Sequence, residues 1–329
     1  MNTFLFTLDA VAPIIIVIFV GWFVKKINLL NDNFFVNANK FVFNVAIPTY
    51  LFYSVYNIEK ISDINWGLTI LIALLAIFIY FLATIFFVFY TKDNGKRGVL
   101  IQCAFRSNYA IIGIPLASAI GGAESMATAA VVSAIGIPTF NILAVIALSI
   151  FSYNNEGTKI NVFNILKSIC KNPLIIGVFS AIVCLILRNY TSFRIKDNIP
   201  FIYSSIKQIG SMASPLALIV LGGRFKVEAV KSLAKDITLG VLWRLVLSPL
   251  ICILIILFMA NKGVVNLSTS DFPAIIAFYG SPVAVSSAIM AESMNCHGEL
   301  ARQLVIWCNI VSIFTVFLII LISKYFSLI

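Results

Sequence analysis

The sequence has 329 residues, of which 61% are hydrophobic and 11% charged, and its formal net charge is +10. With a mean hydropathy of +1.03, the chain has more apolar surface than a soluble core can bury, so it belongs in a lipid bilayer. Its lysines and arginines are spread over short segments between apolar runs. This pattern is typical of membrane-protein loops and argues against a nucleic-acid-binding face.

Ten hydrophobic runs are long enough to cross the ~30 Å hydrocarbon layer as helices. In chain order, spans 1 to 10 cover residues 6–25, 38–56, 66–91, 98–121, 124–150, 172–189, 201–223, 236–260, 271–292 and 300–324. The segment before span 1 lacks the basic residues that begin a signal peptide, so we expect span 1 to be retained. The sequence therefore predicts an all-α polytopic membrane protein with ten transmembrane helices.

Basic residues concentrate in the segments that follow spans 1, 3, 5 and 7. They are Lys25, Lys26, Lys40, Lys92, Lys96, Arg97, Lys159, Lys167, Lys171, Arg224, Lys226, Lys231 and Lys235. The opposite side holds fewer, namely Lys60, Lys262, Lys324 and a local group of Arg188, Arg194, Lys196 and Lys207. By the positive-inside rule, we expect the side with more basic residues to be cytoplasmic and both termini to lie on the outer side of the cell membrane.

Prolines recur at matching places in the two halves of the chain. Pro48 and Pro215 are 167 residues apart, as are Pro115 and Pro282, and Pro13 corresponds to Pro173 near the starts of spans 1 and 6. We therefore predict two five-helix repeats, residues 1–150 and 172–329, joined by a cytoplasmic loop at 151–171. Because five is an odd number of spans, the second repeat should be inverted relative to the first.

Spans 4 and 9 should be interrupted near mid-membrane. Pro115 follows Gly113, and Pro282 follows Gly280 and Ser281, so both prolines disfavour a continuous helix. Non-helical backbone at this depth must be buried in protein or line a cavity, so we expect the two breaks to cross at a shared site. The helix N-termini that follow would favour an anionic group such as a carboxylate.

Polar side chains near the breaks are the candidate substrate ligands. Asn108 offers an amide donor, and Arg106 is a cation that needs a partner or a cavity inside a membrane, although such an arginine can also be purely structural. The predicted substrate-binding set is Asn108, Tyr109, Gly113, Pro115, Gly280, Ser281, Pro282, Ser286, Arg106 and Asn141. Asn44 is a further candidate, whereas Arg244 in span 8 has no evident partner in the sequence.

At these residues the chain resembles the auxin efflux carrier family, which includes the plant PIN carriers and bacterial malate and malonate permeases. The segment Asn108-x4-Gly113-Ile-Pro115-Leu resembles the crossover motif of these carriers. Supporting segments are Asn39-Lys-Phe-Val with Pro48, Asn172-Pro173, Gly210-x-Met-Ala-x-Pro215-Leu-Ala-Leu and Asn295-x-His297-x-Glu299.

This resemblance implies an elevator-type carrier that forms a homodimer. Its scaffold would comprise spans 1, 2, 6 and 7, and its transport part spans 3 to 5 and 8 to 10. It also implies that Asn108 helps to hold a substrate carboxylate. Because the chain lacks the long central loop of the plant carriers and differs from them around Pro282, we expect a small organic acid such as a dicarboxylate rather than auxin.

The preferred function is secondary active transport of a small organic anion by alternating access. The alternative is a sodium-coupled symporter resembling the bile-acid symporters, for which Gln102, Ser287 and Glu292 are the candidate ion ligands. The coupling ion would be Na+ or H+, and no other cofactor is expected. The expected partners are the anion, the bilayer and a second copy of the chain, with no nucleic acid.

Enzymatic activity is not expected. The six cysteines form no C-x-x-C pair, and His297 is the single histidine. The sequence therefore offers neither a site of several imidazoles for a metal nor a Ser-His-Asp constellation. A membrane sensor would add a soluble signalling domain, and the sequence shows no segment of that character.

Overall fold

The computed structural model describes residues 3–57, 66–153, 170–191, 193–226, 228–265, 267–268, 270–326 and 328–329. The secondary structure of these residues is helical, apart from one isolated β-bridge. Most of the predicted 151–171 connecting loop, residues 154–169, lies outside the described ranges.

The helices follow the hydrophobic runs of the sequence closely. They are α1 (Thr3–Lys26), α2 (Asp32–Phe41), α3 (Ile47–Tyr56), α4 (Trp66–Tyr90), α5 (Asn94–Phe105), α6 (Ile114–Ile150), α7 (Pro173–Tyr190), α8 (Ile195–Asn198), α9 (Pro200–Ser211), α10 (Ala213–Gly223), α11 (Glu228–Ser232), α12 (Ala234–Leu242), α13 (Ser248–Asn261), α14 (Asp271–Gly280), α15 (Ser286–Ser293) and α16 (Gly298–Tyr325). Three π-helical turns, Val42–Ala46, Tyr109–Gly113 and Trp243–Leu247, connect α2 to α3, lead into α6, and connect α12 to α13.

In the part of the chain that the structure describes, five helical runs are long and apolar enough to cross a membrane by length and composition. They are Trp66–Tyr90, Tyr109–Ile150, Pro200–Gly223, Ala234–Asn261 and Gly298–Tyr325. The second run has 42 residues, which at ~1.5 Å per residue is about twice the thickness of the hydrocarbon layer. Gly122, with φ 72° and ψ −158°, divides it into two helices. The chain is thus a multi-pass helical protein, while the count of ten spans in two inverted repeats stays a prediction.

Each of these three π-helical turns ends two residues before a proline. In each, the residue ahead of the proline donates its N–H to the carbonyl five residues earlier. The donor–acceptor pairs are Ile47 with Val42, Ile114 with Tyr109 and Ser248 with Trp243, ahead of Pro48, Pro115 and Pro249. A proline ring crowds the carbonyl four residues before it, and a wider turn relieves that crowding without ending the helix.

The break expected at Gly113 and Pro115 lies elsewhere. Gly113 has helical angles, φ −65° and ψ −49°, and Pro115 sits in the first turn of α6. Helix α5 ends earlier, at Phe105, and residues 106–108 are not helical. In span 9 the interruption does include Pro282, because α14 ends at Gly280 and α15 begins at Ser286.

The helices pack in two distinct ways. Helix α1 packs on α10 and α16, and α3 packs on α7 and α9, whereas α4, α5, α6, α14 and α16 pack on one another. Glycines bring main chains together in the first set, since added β-carbons would meet backbone atoms of the neighbouring helix. The four pairs are Gly21 with Ile219, Gly222 with Ile18, Gly177 with Pro48 and Gly210 with Tyr50. Such small-residue contacts are typical of membrane helices that approach closely.

Candidate functional site

The two interrupted segments touch each other. Ser107 and Val283 form an isolated antiparallel β-bridge, and Asn108 donates its backbone N–H to the carbonyl oxygen of Pro282 at 2.8 Å. We call this contact between residues 106–108 and 281–285 the crossing. Backbone groups that the helices leave unpaired are satisfied there, as a low-dielectric environment requires.

A cavity of about 140 Å³ lies beside this crossing. Arg106, Ser107, Asn108 and Ser286 form its polar wall. The other walls come from α3, α6, α9 and α10 and are largely apolar, with Ile47, Tyr50, Leu51, Ile137, Phe140, Asn141, Ser211, Ala213, Ser214 and Ala217 among the lining residues. The cavity therefore has one strongly polar side and a mainly hydrophobic remainder.

Arg106 is the charged residue of the lining, and it is only 3% exposed. Its Nη2 donates to Asn141 Oδ1 and to Ser286 Oγ, both at 2.8 Å, and its Nη1 contacts the sulfur of Met290. Among the described residues, no carboxylate oxygen lies within 4.0 Å of this guanidinium. The positive charge is hydrogen-bonded but not neutralised.

Asn108 lines the same cavity and has a side-chain donor that is not used within the described structure. Its Nδ2 and the hydroxyl oxygen of Ser107 are buried and have no hydrogen-bond partner among the described residues. Buried polar atoms usually have partners, and leaving one unpaired costs about 1–3 kcal/mol. A guanidinium beside unpaired donors fits a ligand with negatively charged acceptor oxygens.

Several other predicted substrate ligands also reach the cavity. Ser286 and Asn141 line it and hold Arg106 in place. Tyr109 also lines it, and its hydroxyl lies 3.5 Å from the Ala274 carbonyl oxygen while its ring is edge-to-face with that of Phe278. The structure thus gathers half of the predicted set around one space.

The remaining predicted ligands act through the backbone or lie away from the cavity. Gly113, Pro115 and Gly280 are absent from its lining. Ser281 is fully buried, and its hydroxyl donates to the Ala277 carbonyl oxygen at 2.6 Å. Pro282 contributes the carbonyl oxygen that accepts from Asn108.

The three candidate ion ligands, Gln102, Ser287 and Glu292, do not form one cluster. The hydrogen bonds of Gln102 are satisfied when its side-chain amide oxygen and nitrogen are exchanged. The oxygen then accepts from Arg106 Nη1 at 2.9 Å, and the nitrogen donates to the Ser287 carbonyl oxygen at 3.3 Å. Ser287 Oγ has no partner among the described residues. Glu292, however, is ion-paired with Arg224 and with Arg302.

The parts of the cavity that come from distant helices are not evident in the sequence. Tyr50 and Leu51 belong to no motif, and Ser211 and Ser214 occupy the unspecified positions of the Gly210–Leu218 segment. The packing of α3, α9 and α10 brings all four to the cavity. Asn44, a candidate from the sequence, instead donates to the Lys40 carbonyl oxygen on an exposed surface.

His297 has a structural position at the start of α16. Its Nδ1 accepts a hydrogen bond from the Leu300 backbone N–H at 3.2 Å. Burial lowers the pKa of His297 below its usual range, which keeps the ring neutral and preserves this cap.

Replacing Gly113 by alanine should destabilise the site. A β-carbon at Gly113 would overlap the buried ring of Tyr109, and overpacking of this kind costs about 1–3 kcal/mol. We expect a lower melting temperature in detergent, measured by differential scanning fluorimetry. Combining Gly113→Ala with Tyr109→Leu should recover part of the loss, whereas additive losses would show that the overlap is not the cause.

Long apolar helices, interrupted segments in contact and a cavity beside them are features of multi-pass membrane transporters. Comparison with known sequences gives the family. The sequence profile of the membrane transport protein family matches residues 6–320, so the chain belongs to this family and is a transporter rather than an enzyme. The predicted resemblance to the auxin efflux carriers is thereby confirmed.

Two relatives are archaeal proteins described as uncharacterized transporters. The chain is similar to one from Methanocaldococcus jannaschii, with 26% identity over 246 residues, covering 73% of this chain and 74% of the relative. It is also similar to one from Methanothermobacter thermautotrophicus, with 23% identity over 319 residues, covering 94% of this chain and 96% of the relative.

Proposed function

We propose that this protein is a secondary active transporter of a small organic anion. The observation that carries the proposal is Arg106, a buried cation without a carboxylate partner in the described part of the chain, facing a cavity beside the unpaired amide of Asn108. A buried charge is costly unless it is compensated. A bound anion would supply that compensation, which makes the substrate the missing counterion.

The polar wall favours a carboxylate as the anionic group. A guanidinium binds carboxylate oxygens in a planar fork, and its hydrogen bonds to charged acceptors are short and strong. Asn108 and Ser107 would add neutral donors to the same oxygens. The first turns that follow the two interruptions begin at this wall, so their dipoles would reinforce the attraction.

The rest of the cavity constrains the body of the substrate. The apolar walls are formed by Leu51, Ile137, Phe140 and Val285, and Arg106 is the single charged residue of the lining among the residues that the structure describes. A second carboxylate would be desolvated there without a cationic partner. We therefore expect a compact monocarboxylate to bind more tightly than the dicarboxylate suggested by the sequence.

We further propose that the cavity alternates between the two membrane faces by an elevator movement. The cavity lies between the crossing and α3, α9 and α10, which belong to spans 2 and 7 of the predicted scaffold. Two of the polar contacts between these parts involve the C-terminal end of α15 or the residue beside it. Glu292 pairs with Arg224, and Asn39 Nδ2 donates to Ser293 Oγ at 3.1 Å. Both contacts would have to open when the transport part moves. Inverted repeats, a homodimer and external termini belong to the same proposal.

Tying α2 to α15 should stop transport. We expect Asn39→Cys with Ser293→Cys, in a Cys170→Ala background, to lose most transport after treatment with a short cleavable thiol cross-linker. Cleavage of the linker should restore it, because the block is mechanical. Transport by reconstituted protein is the measurement, and each single variant is a control. Full transport by a completely cross-linked double variant would exclude the movement.

Transport in proteoliposomes tests the function itself. We expect uptake of labelled monocarboxylates, weaker uptake of dicarboxylates and none of neutral or cationic analogues of the same size. Repeating the assay with and without sodium and proton gradients identifies the coupling ion. Sodium-dependent uptake would favour the symporter alternative, although Glu292 is already paired with two arginines. Uptake of cations but not anions would contradict the proposal.

A further inference from the structure

A second buried arginine lies at the same crossing and has a different set of partners. Arg244 has no exposed surface, and no carboxylate oxygen in the described residues lies within 4.0 Å of it. Unlike Arg106, it does not line the cavity. Its charge must therefore be compensated by neutral groups.

The compensating groups are the terminal carbonyls of two helices. At the end of α5, Arg244 Nη1 donates to the Phe105 carbonyl oxygen at 3.1 Å. At the end of α14, Nη2 donates to the carbonyl oxygens of Phe278, Tyr279 and Ser281 at 3.4, 3.1 and 2.7 Å, and Nε donates to that of Ser281 at 3.0 Å. Carbonyls in the last turn of a helix lack intrahelical donors and carry the negative end of its dipole. One guanidinium thus caps both interrupted helices.

The local backbone places Arg244 where both helix ends can be reached. It lies in the π-helical turn Trp243–Leu247 that precedes Pro249. On the following turn, Ser248 Oγ donates to the Ala104 carbonyl oxygen at 2.7 Å and so adds a second cap to α5. The π-helical turn and the residue that follows it thus present two donors to the end of α5.

The capped carbonyls lie immediately next to the substrate wall. Phe105 is followed by Arg106, and Ser281 is followed by Pro282, whose carbonyl oxygen accepts from the Asn108 N–H. Fixing the two helix ends relative to each other therefore fixes the bridge between Ser107 and Val283. The directions of the Arg106 and Asn108 side chains depend on that bridge.

We propose that Arg244 is a positioning residue that joins the two interrupted helices into one unit and so sets the geometry of the substrate wall. It does not contact the substrate. The expected effect of Arg244 on transport rests on the proposed function. Its expected effect on the contact between the two interrupted helices does not. Arginine is needed for its planar fork, because the compact ammonium of lysine cannot reach the carbonyls of both helices at once.

Hydrogen–deuterium exchange of the purified protein tests the clamp without any substrate. In the native chain, the amide protection factors of segments 106–108 and 281–283 should lie within about tenfold of those in α5 and α14, although these segments are not helical. In Arg244→Lys, exchange at both segments should accelerate by about tenfold or more. The matched control is Arg97→Lys, because Arg97 also donates to terminal carbonyls, those of Val88 and Thr91 at the end of α4.

Substrate affinity provides the second readout. Arg244→Lys should raise the KM for the anion about tenfold or more, whereas Arg97→Lys should leave KM unchanged even if it lowers the melting temperature. Rapid exchange of 106–108 in the native chain would overturn the proposal even if Arg244→Lys does not fold. An Arg244→Lys protein with native exchange, or with native KM, would also overturn it. Absence of anion transport by the native protein would instead count against the proposed function and leave the exchange result to decide the clamp.

Discussion

Replacing Arg106 by methionine is expected to weaken binding of the transported anion by about 10- to 150-fold, from the ~1.5–3 kcal/mol that a hydrogen bond to a charged group contributes. Methionine keeps an unbranched apolar stem and removes the one charge of the cavity lining. Equilibrium binding of a labelled monocarboxylate to purified protein measures the loss, and proteoliposome uptake should fall with it. Arg106→Lys should recover part of the affinity, since it restores a point charge without the fork.

The same variant separates a binding role from a structural one. If Arg106 binds substrate, the substrate-free Arg106→Met protein should be as stable as the native one or more stable, because a buried unneutralised charge has been removed. If Arg106 only supports the fold, its melting temperature should fall while affinity stays unchanged. Lys207→Met is the matched control, since Lys207 is exposed on α9. A large loss of affinity in that control would point to a general charge effect.

Asn108→Asp should reduce anion transport at pH 7 by at least about 100-fold, because like charges brought together at a site cost several kcal/mol. Aspartate has nearly the shape of asparagine, so the cavity stays intact while a carboxylate replaces the unpaired Nδ2 donor. That carboxylate both repels the substrate and offers Arg106 an internal partner. Asn108→Ala, which only removes the donor, should transport better than Asn108→Asp.

The pH dependence of this variant gives a sharper test. Transport by Asn108→Asp should increase as the pH falls, since protonation removes the repelling charge and restores a donor. The increase should be larger than that of the native protein and of Asn33→Asp, which makes the same chemical change at an exposed position, so that any pH dependence of coupling is subtracted. Substantial uptake by Asn108→Asp at pH 7, or a loss that pH does not change, would place the anion elsewhere.

Helix positions could be predicted from the sequence because hydrophobic runs determine them directly. Trp66–Tyr90 was expected at 66–91, and Gly298–Tyr325 at 300–324. The break in span 4 was expected at the proline, whereas the chain leaves the helix at Arg106. The proline instead widens a turn, since a π-helical turn accommodates its ring while retaining most backbone hydrogen bonds.

Residues whose roles depend on tertiary contacts could not be assigned in advance. Gly113 was expected to provide backbone freedom, but it makes room for the Tyr109 ring. Arg244 had no evident partner in the sequence because its acceptors are carbonyls more than thirty positions away along the chain. Carbonyls are present at every residue and leave no pattern that a sequence can reveal. By contrast, Arg106 and Asn108 were identified because polar residues are rare in apolar runs.

The glycine-mediated contacts of α1 with α10, and of α3 with α7 and α9, limit where the molecule can deform. Small shifts between packed helices are usually absorbed by changes in side-chain rotamer. Where main chains are in direct contact, no side chain lies between them, so we expect small shifts of one helix along the other to be disfavoured. The smallest permitted displacement would be a jump of a whole turn, about 5.4 Å. We therefore expect α1 with α10, and α3 with α7 and α9, to move as rigid units, so that any rearrangement occurs where side chains pack between helices, as beside α15.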